Sequence, residues 1–195
     1  MSEEPPSTNI DIAVVTEDPA WRSELEAAEQ IVRRAAQAVF DHAGTRDSLV
    51  GHRIWLPEST PDRRGSAPAE LVLVLSDDRL VRSLNKDYRS QDKPTNVLSF
   101  AGLDGATETA ADIPLLLGDV VLARETISRE AGAQGKSVAE HLAHLVVHGV
   151  LHLLGYDHEA APEAEQMESL ERAIMADLGI ADPYRDRMIP AGAVS

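Results

Sequence analysis

From Lys136 to Leu154 the chain carries almost nothing but apolar residues and histidines: Leu142, Ala143, Leu145, Val146, Val147, Val150, Leu151, Leu153 and Leu154 surround His141, His144, His148 and His152. Ser137 followed three residues later by Glu140 is a capping-box pattern, and the stretch is long enough to read as a helix. A helix that is apolar around most of its circumference has to be wrapped by other elements. It is therefore expected at the centre of the fold, with histidine as its polar stripe. Gly155 ends it, as glycine commonly does just past a helix, and the chain can then bring His158 back.

Successive residues advance by about 100° around a helix, so His148 and His152 stand one above the other, about 6 Å apart along the axis. With His158 after the glycine turn, the spacing H-x3-H-x2-G-x2-H can close three nitrogens on one Zn²⁺ and leave the fourth position open, as catalytic zinc sites do. His141 and His144 share the His148 face. His144 and His152 are about 12 Å apart along the axis, too far for one metal, but a site of His144, His148 and an unknown third group remains geometrically open.

The same spacing occurs in the metzincin pattern H-E-x-x-H-x-x-G-x-x-H, where Glu is the general base. Gly149 stands at that position here. The metal geometry survives and the peptidase chemistry does not. Met167, downstream, reads as core filler.

The segment His144-Leu145-Val146-Val147-His148-Gly149-Val150-Leu151-His152-Leu153-Leu154-Gly155-Tyr156-Asp157-His158 resembles the YbeY family of bacterial single-strand-specific metallo-endoribonucleases. Two further blocks agree: Leu84-Asn85-Lys86-Asp87-Tyr88-Arg89 with Lys93-Pro94-Thr95-Asn96-Val97-Leu98-Ser99-Phe100, and Leu117-Gly118-Asp119-Val120-Val121. Together they cover roughly residues 70–178. The resemblance implies one zinc on His148, His152 and His158, an important arginine at Arg89, and a role in maturing the 3′ end of 16S rRNA and in 70S ribosome quality control. Its implied partners are single-stranded RNA and ribosomal subunits or ribosomal proteins, not DNA or membrane. Nothing carries over to the N-terminal leader or to the insert at 57–69.

A net charge of −15 opposes a polyanionic partner, because phosphate neutralisation dominates affinity for nucleic acids. The distribution softens this. Arg79, Arg82, Lys86, Arg89 and Lys93 recur at steps of three and four. At least the first four share a helix face, opposite Leu80, Val81, Leu84 and Tyr88. On pattern alone such a run is a solvated face; the resemblance at Arg89 gives it a function. Acidic residues gather near the start and again at Glu159, Glu163, Glu165, Glu168 and Glu171, where they read as solvent-facing. The absence of cysteine rules out disulfides and thiolate metal sites and fits a reducing cytoplasm. No apolar run approaches the ~20 residues that span a bilayer, and the first residues lack a signal-peptide pattern.

The element order reads as α+β in one domain over 9–182, between a disordered leader at 1–8 and a tail at 183–195. It predicts a small mixed sheet of about four strands packed with five to six helices. Ile10, Ile12 and Val14 alternate as a strand, and Pro19 to about His42 has helical period. His52–Leu56 and Leu71–Leu75 read as strands. Pro57 to Pro68 is loop. Ser76 or Asp77 caps a helix that Pro94 ends, and Asn96–Phe100 is a short strand. Gly102–Pro114 is loop, Leu115–Leu122 strand, and Arg124–Ala131 helix. A last helix runs from Pro162 to about Leu178, closed by Gly179.

These readings predict a zinc site that lowers the pKa of water, with Arg89 clamping the scissile phosphate and His148 both ligand and catalytic residue. Asp157 orients an imidazole or shapes the turn, and His144 relays protons or packs. With no Glu at position 149 no general base is assigned; the RNA 2′-hydroxyl or the phosphate can share that work. A zinc hydrolase of another substrate class and a non-enzymatic zinc-containing ribosome assembly factor are the alternatives.

Overall fold

The computed structural model describes residues 10–43, 69–102, 115–156 and 161–185. Among them the chain forms β1 (Ile10–Thr16), α1 (Ala20–Glu24), α2 (Ala28–Ala43), β2 (Ala69–Ser76), α3 (Asp78–Arg89), β3 (Val97–Ala101), β4 (Leu115–Ala123), α4 (Arg124–Ala133), α5 (Val138–Leu153) and α6 (Ala161–Asp177). The predicted leader at 1–8, the strand at His52–Leu56, the insert from 57 to 68, most of the Gly102–Pro114 loop, Asp157 and His158 lie outside the described residues.

The sheet has the order β1-β2-β4-β3, with β1, β2 and β4 parallel and β3 antiparallel to β4. This is the mixed four-stranded sheet that the sequence predicts, and six helices accompany it among the described residues. Side chains alternate across a sheet, and the register sorts them into two layers. Leu73 pairs with Val120 and Leu75 with Leu122; with Ile12 and Leu71 these belong to the main core, beneath α2 and α5. Val74, Val121, Ala123, Leu98 and Phe100 point the other way, into a smaller cluster that Val81 and Leu84 of α3 cover. The two faces of β3 thus meet different helices, α5 through Ser99 and α3 through Leu98 and Phe100.

α5 starts at the expected capping box: Ser137 Oγ accepts from Glu140 N at 3.2 Å, and Glu140 Oε2 accepts from Ser137 N at 2.9 Å. It ends as expected at Gly155, whose φ of 87° suits glycine. Gly155 N donates to His152 O and Tyr156 N to Leu151 O, the paired bonds of a Schellman cap. Between these ends, ten of the helix's residues are buried against the sheet and against α2, α4 and α6.

Two boundaries differ from the sequence reading. The predicted helix from Pro19 to His42 is two helices, broken where Leu25 adopts extended backbone. Trp21, fully buried, donates its indole N–H to Ser76 O at 3.0 Å and so fixes α1 across the end of β2. α3 ends at Arg89 rather than at Pro94, because Ser90 takes a left-handed conformation and its N–H bonds back to Lys86 O. Asp77, not Ser76, caps α3, accepting from Leu80 N at 2.8 Å.

Candidate metal centre

Gly149 decides how closely α5 approaches the sheet. A Cβ there would sit 2.8 Å from Val120 Cγ1 and 3.0 Å from Ser99 Oγ, and Ser99 Oγ donates to Gly149 O at 3.1 Å. No glutamate fits at this position, which gives the departure from the metzincin pattern a packing cause.

His148 and His152 lie one turn apart, with ring planes at 86° and centroids 4.5 Å apart. Their Nε2 atoms are separated by 3.1 Å. Each Nδ1 is engaged elsewhere: that of His148 with Glu171 Oε1 at 2.7 Å, that of His152 with Tyr156 O at 3.0 Å. A carboxylate and a carbonyl accept, so both Nδ1 atoms donate, and in a neutral ring the lone pair is then on Nε2. Two lone pairs facing each other at this distance repel unless a proton or a cation lies between them. Two nitrogens at 2.0–2.1 Å from a tetrahedral zinc are about 3.3 Å apart, so the pair fits that ion.

Glu171 of α6 supports the pair from beneath. Its side chain has no solvent exposure. Besides His148 it meets His144 Nε2 at 3.3 Å and accepts from the Tyr184 hydroxyl. Burial pushes its carboxyl pKa up, but the hydrogen bonds of His144, His148 and Tyr184 outweigh burial and bring it down to about 2. The sequence reading placed Glu171 in a solvated acidic run, and the structure corrects this. The missed signal is helical: Met167, Ile174 and Met175, at i−4, i+3 and i+4, are all buried. Met167 is core, as expected.

The remaining predicted residues are distributed as follows. His144 and His148 meet at Glu171 rather than at each other's nitrogens. His141, 3% exposed, lies near Glu130, Nε2 to Oε2 2.9 Å. Among the described residues no cluster of three or more metal-binding side chains forms, and His158, the predicted third ligand, lies outside them. Arg89 is exposed at the end of α3, the helix whose Val81 and Leu84 pack on the Leu98 and Phe100 face of β3. Its neighbour Tyr88 packs edge-on to Phe100 with centroids 5.0 Å apart. No described contact joins Arg89 to either imidazole. The predicted basic stripe is partly neutralised, since Arg82 and Lys86 both pair with Asp92, at 2.7 and 3.3 Å. The opposing apolar stripe is only half used: Val81 and Leu84 pack inward, while Tyr88 is 70% exposed.

From His148 and Glu171 a cleft of about 970 Å³ runs past His144 and His141 to Glu130 and Asn96. Among the described residues no helix is long and apolar enough to cross a membrane.

Residues 25–179 match the family model described as Endoribonuclease YbeY. A Rhodospirillum rubrum protein named Endoribonuclease YbeY is 60% identical over 63% of this chain and 62% of its own length. One of the same name from Rhodopseudomonas palustris is 45% identical over 96% of this chain and 95% of its own. The solution structure of a Thermotoga maritima protein, 17% identical, superposes with a TM-score of 0.46 over 95% of this chain and 100% of that one. By the extent of the family match and the identity to these relatives, the chain belongs to the Endoribonuclease YbeY family.

Proposed function

We propose that this protein is a zinc-dependent endoribonuclease that cuts single-stranded RNA, acting in maturation of the 16S rRNA 3′ end and in 70S ribosome quality control. The observation that carries the reading is the pair of Nε2 atoms of His148 and His152, 3.1 Å apart, with both Nδ1 atoms engaged. These two residues and His158 would hold one zinc per chain. A zinc ion bound there would supply a Lewis acid for a phosphoryl oxygen and lower the pKa of water toward ~7.

The chain's own groups do the rest. Glu171 and the Tyr156 carbonyl fix the tautomer and the orientation of the two rings, as partners of metal-bound histidines do elsewhere. Gly149 sets the depth of α5 against β3 and β4, and with it the position of both imidazoles. Arg89, exposed at the end of α3, would bind a phosphate with its planar fork.

Ribosomal proteins are largely basic, and the −15 charge suits an acidic face docking on them in the cytoplasm. The test compares cleavage of a defined single-stranded RNA, the same RNA as a duplex, the matching DNA and casein by the zinc-loaded protein. Cleavage of the single-stranded RNA alone is expected; casein cleavage would favour another class of zinc hydrolase, and no cleavage at all a non-enzymatic assembly factor.

A further inference from the structure

The far end of the cleft holds a carboxylate, Glu130, remote from the histidine pair. Glu130 Oε2 lies 2.9 Å from both Asn96 Nδ2 and His141 Nε2. Both partners are fixed. Asn96 Oδ1 accepts from Val97 N at 2.7 Å, and Asn96 O accepts from Ala123 N. His141 is a buried residue of α5, and burial, opposed by Glu130, holds its pKa below the ordinary value. The carboxylate accepts, so His141 donates to it through Nε2. That leaves Nδ1 buried without a hydrogen-bond partner among the described residues, which costs stability relative to an apolar residue. A buried histidine kept on those terms points to the group it holds. The Glu130 side chain is 33% exposed, and its second oxygen, Oε1, accepts no hydrogen bond among the described residues.

We propose that Glu130 is a specificity residue whose Oε1 accepts the exocyclic amino group of a nucleobase flanking the scissile phosphate, favouring adenine, cytosine or guanine over uracil. The inference rests on the endoribonuclease reading. His141 and His148 are seven residues apart on one helix, about 10 Å along its axis, a reach suited to a neighbouring nucleotide. A phosphate is the wrong occupant at this end of the cleft: Glu130 is itself a carboxylate, and the nearby Lys136 is bonded to Gln134 Oε1 and Pro183 O. Carboxylates accept from base amines. Uracil has none, and its single N3–H sits between two carbonyl oxygens that a carboxylate repels.

The experiment measures kcat/KM for the full-length, zinc-loaded protein on oligouridylates carrying one adenine, cytosine or guanine at each position flanking the cut. The wild type should favour an amino-bearing base at one position by about tenfold or more, as expected for a hydrogen bond to a charged group. In Glu130→Gln the amide oxygen takes the donors from Asn96 and His141 and the NH₂ faces the cleft. A donor there should abolish the preference or turn it toward uracil, and Glu130→Ala should abolish it. A wild type indifferent to base identity, or a Glu130→Gln variant that keeps the amino preference, would overturn the proposal while leaving the endoribonuclease reading intact. No cleavage of any RNA in the panel would overturn both.

Discussion

Glu171 Oε1, on a side chain with no solvent exposure, accepts at 2.7 Å from Nδ1 of His148 on a different helix. One imidazole of the candidate metal pair is therefore oriented by tertiary packing and not by its own helix. Glu171→Gln keeps the shape but weakens the acceptor, and zinc affinity should fall by about tenfold or more, in the range seen for such partners. Competition with a chelator of known affinity measures it, and wild-type affinity in the variant would count against the assignment.

The same carboxyl predicts how stability depends on pH. Its folded pKa of about 2 lies below the ordinary 4.5. The contribution is thus fully present above the ordinary value and is lost as pH falls through about 2. Its size is on the order of 3 kcal/mol. Denaturant unfolding of metal-free protein between about pH 6 and about pH 3 should show a smaller loss in Glu171→Gln than in the wild type. Equal losses would show that Glu171 is not stabilised as a carboxylate.

Gly149→Ala sets two effects against each other. Alanine is the better helix former by about 1 kcal/mol. The added Cβ, however, meets Val120 Cγ1 at 2.8 Å, and overpacking of this kind costs about 1–3 kcal/mol. The clash should win, lowering the melting temperature by a few degrees. A melting temperature at or above that of the wild type would mean that α5 has room to move off the sheet.

Arg89 is exposed, so Arg89→Ala should change stability by no more than about 0.5 kcal/mol. Zinc content should also be unchanged. Cleavage of single-stranded RNA should drop by about 100-fold, the scale of losing one donor to a developing charge. Full cleavage by the variant would remove Arg89 from the mechanism, and loss of zinc would mean that its role is structural.

What could be read in the sequence was local. The Ser137–Glu140 box, the Gly155 stop and the i, i+4 spacing of His148 and His152 are set by a few consecutive residues, and each appears in the structure as expected. The break between α1 and α2 could not be read, because Trp21 is held by Ser76, 55 residues away. Glu171 was hidden by composition: in an acidic segment each carboxylate looks solvated until its buried helical neighbours are considered. Glu130 escaped for a related reason, since Asn96, just before β3, and His141 of α5 reach it from elsewhere in the sequence. That α3, which carries Arg89, and α5, which carries the histidines, pack on opposite faces of β3 depends on the alternation of Leu98, Ser99 and Phe100 in the sheet, which no motif states.

The proposed activity depends most on zinc held by the imidazole pair and used to cut RNA. Zinc content and cleavage of a defined single-stranded RNA, measured together on the wild type and on a His148→Ala, His152→Ala double variant, test this directly. The wild type should carry one zinc per chain and cleave, and the double variant should do neither. Undiminished cleavage by a metal-free double variant would show that the imidazole pair and its zinc do not carry out the cleavage.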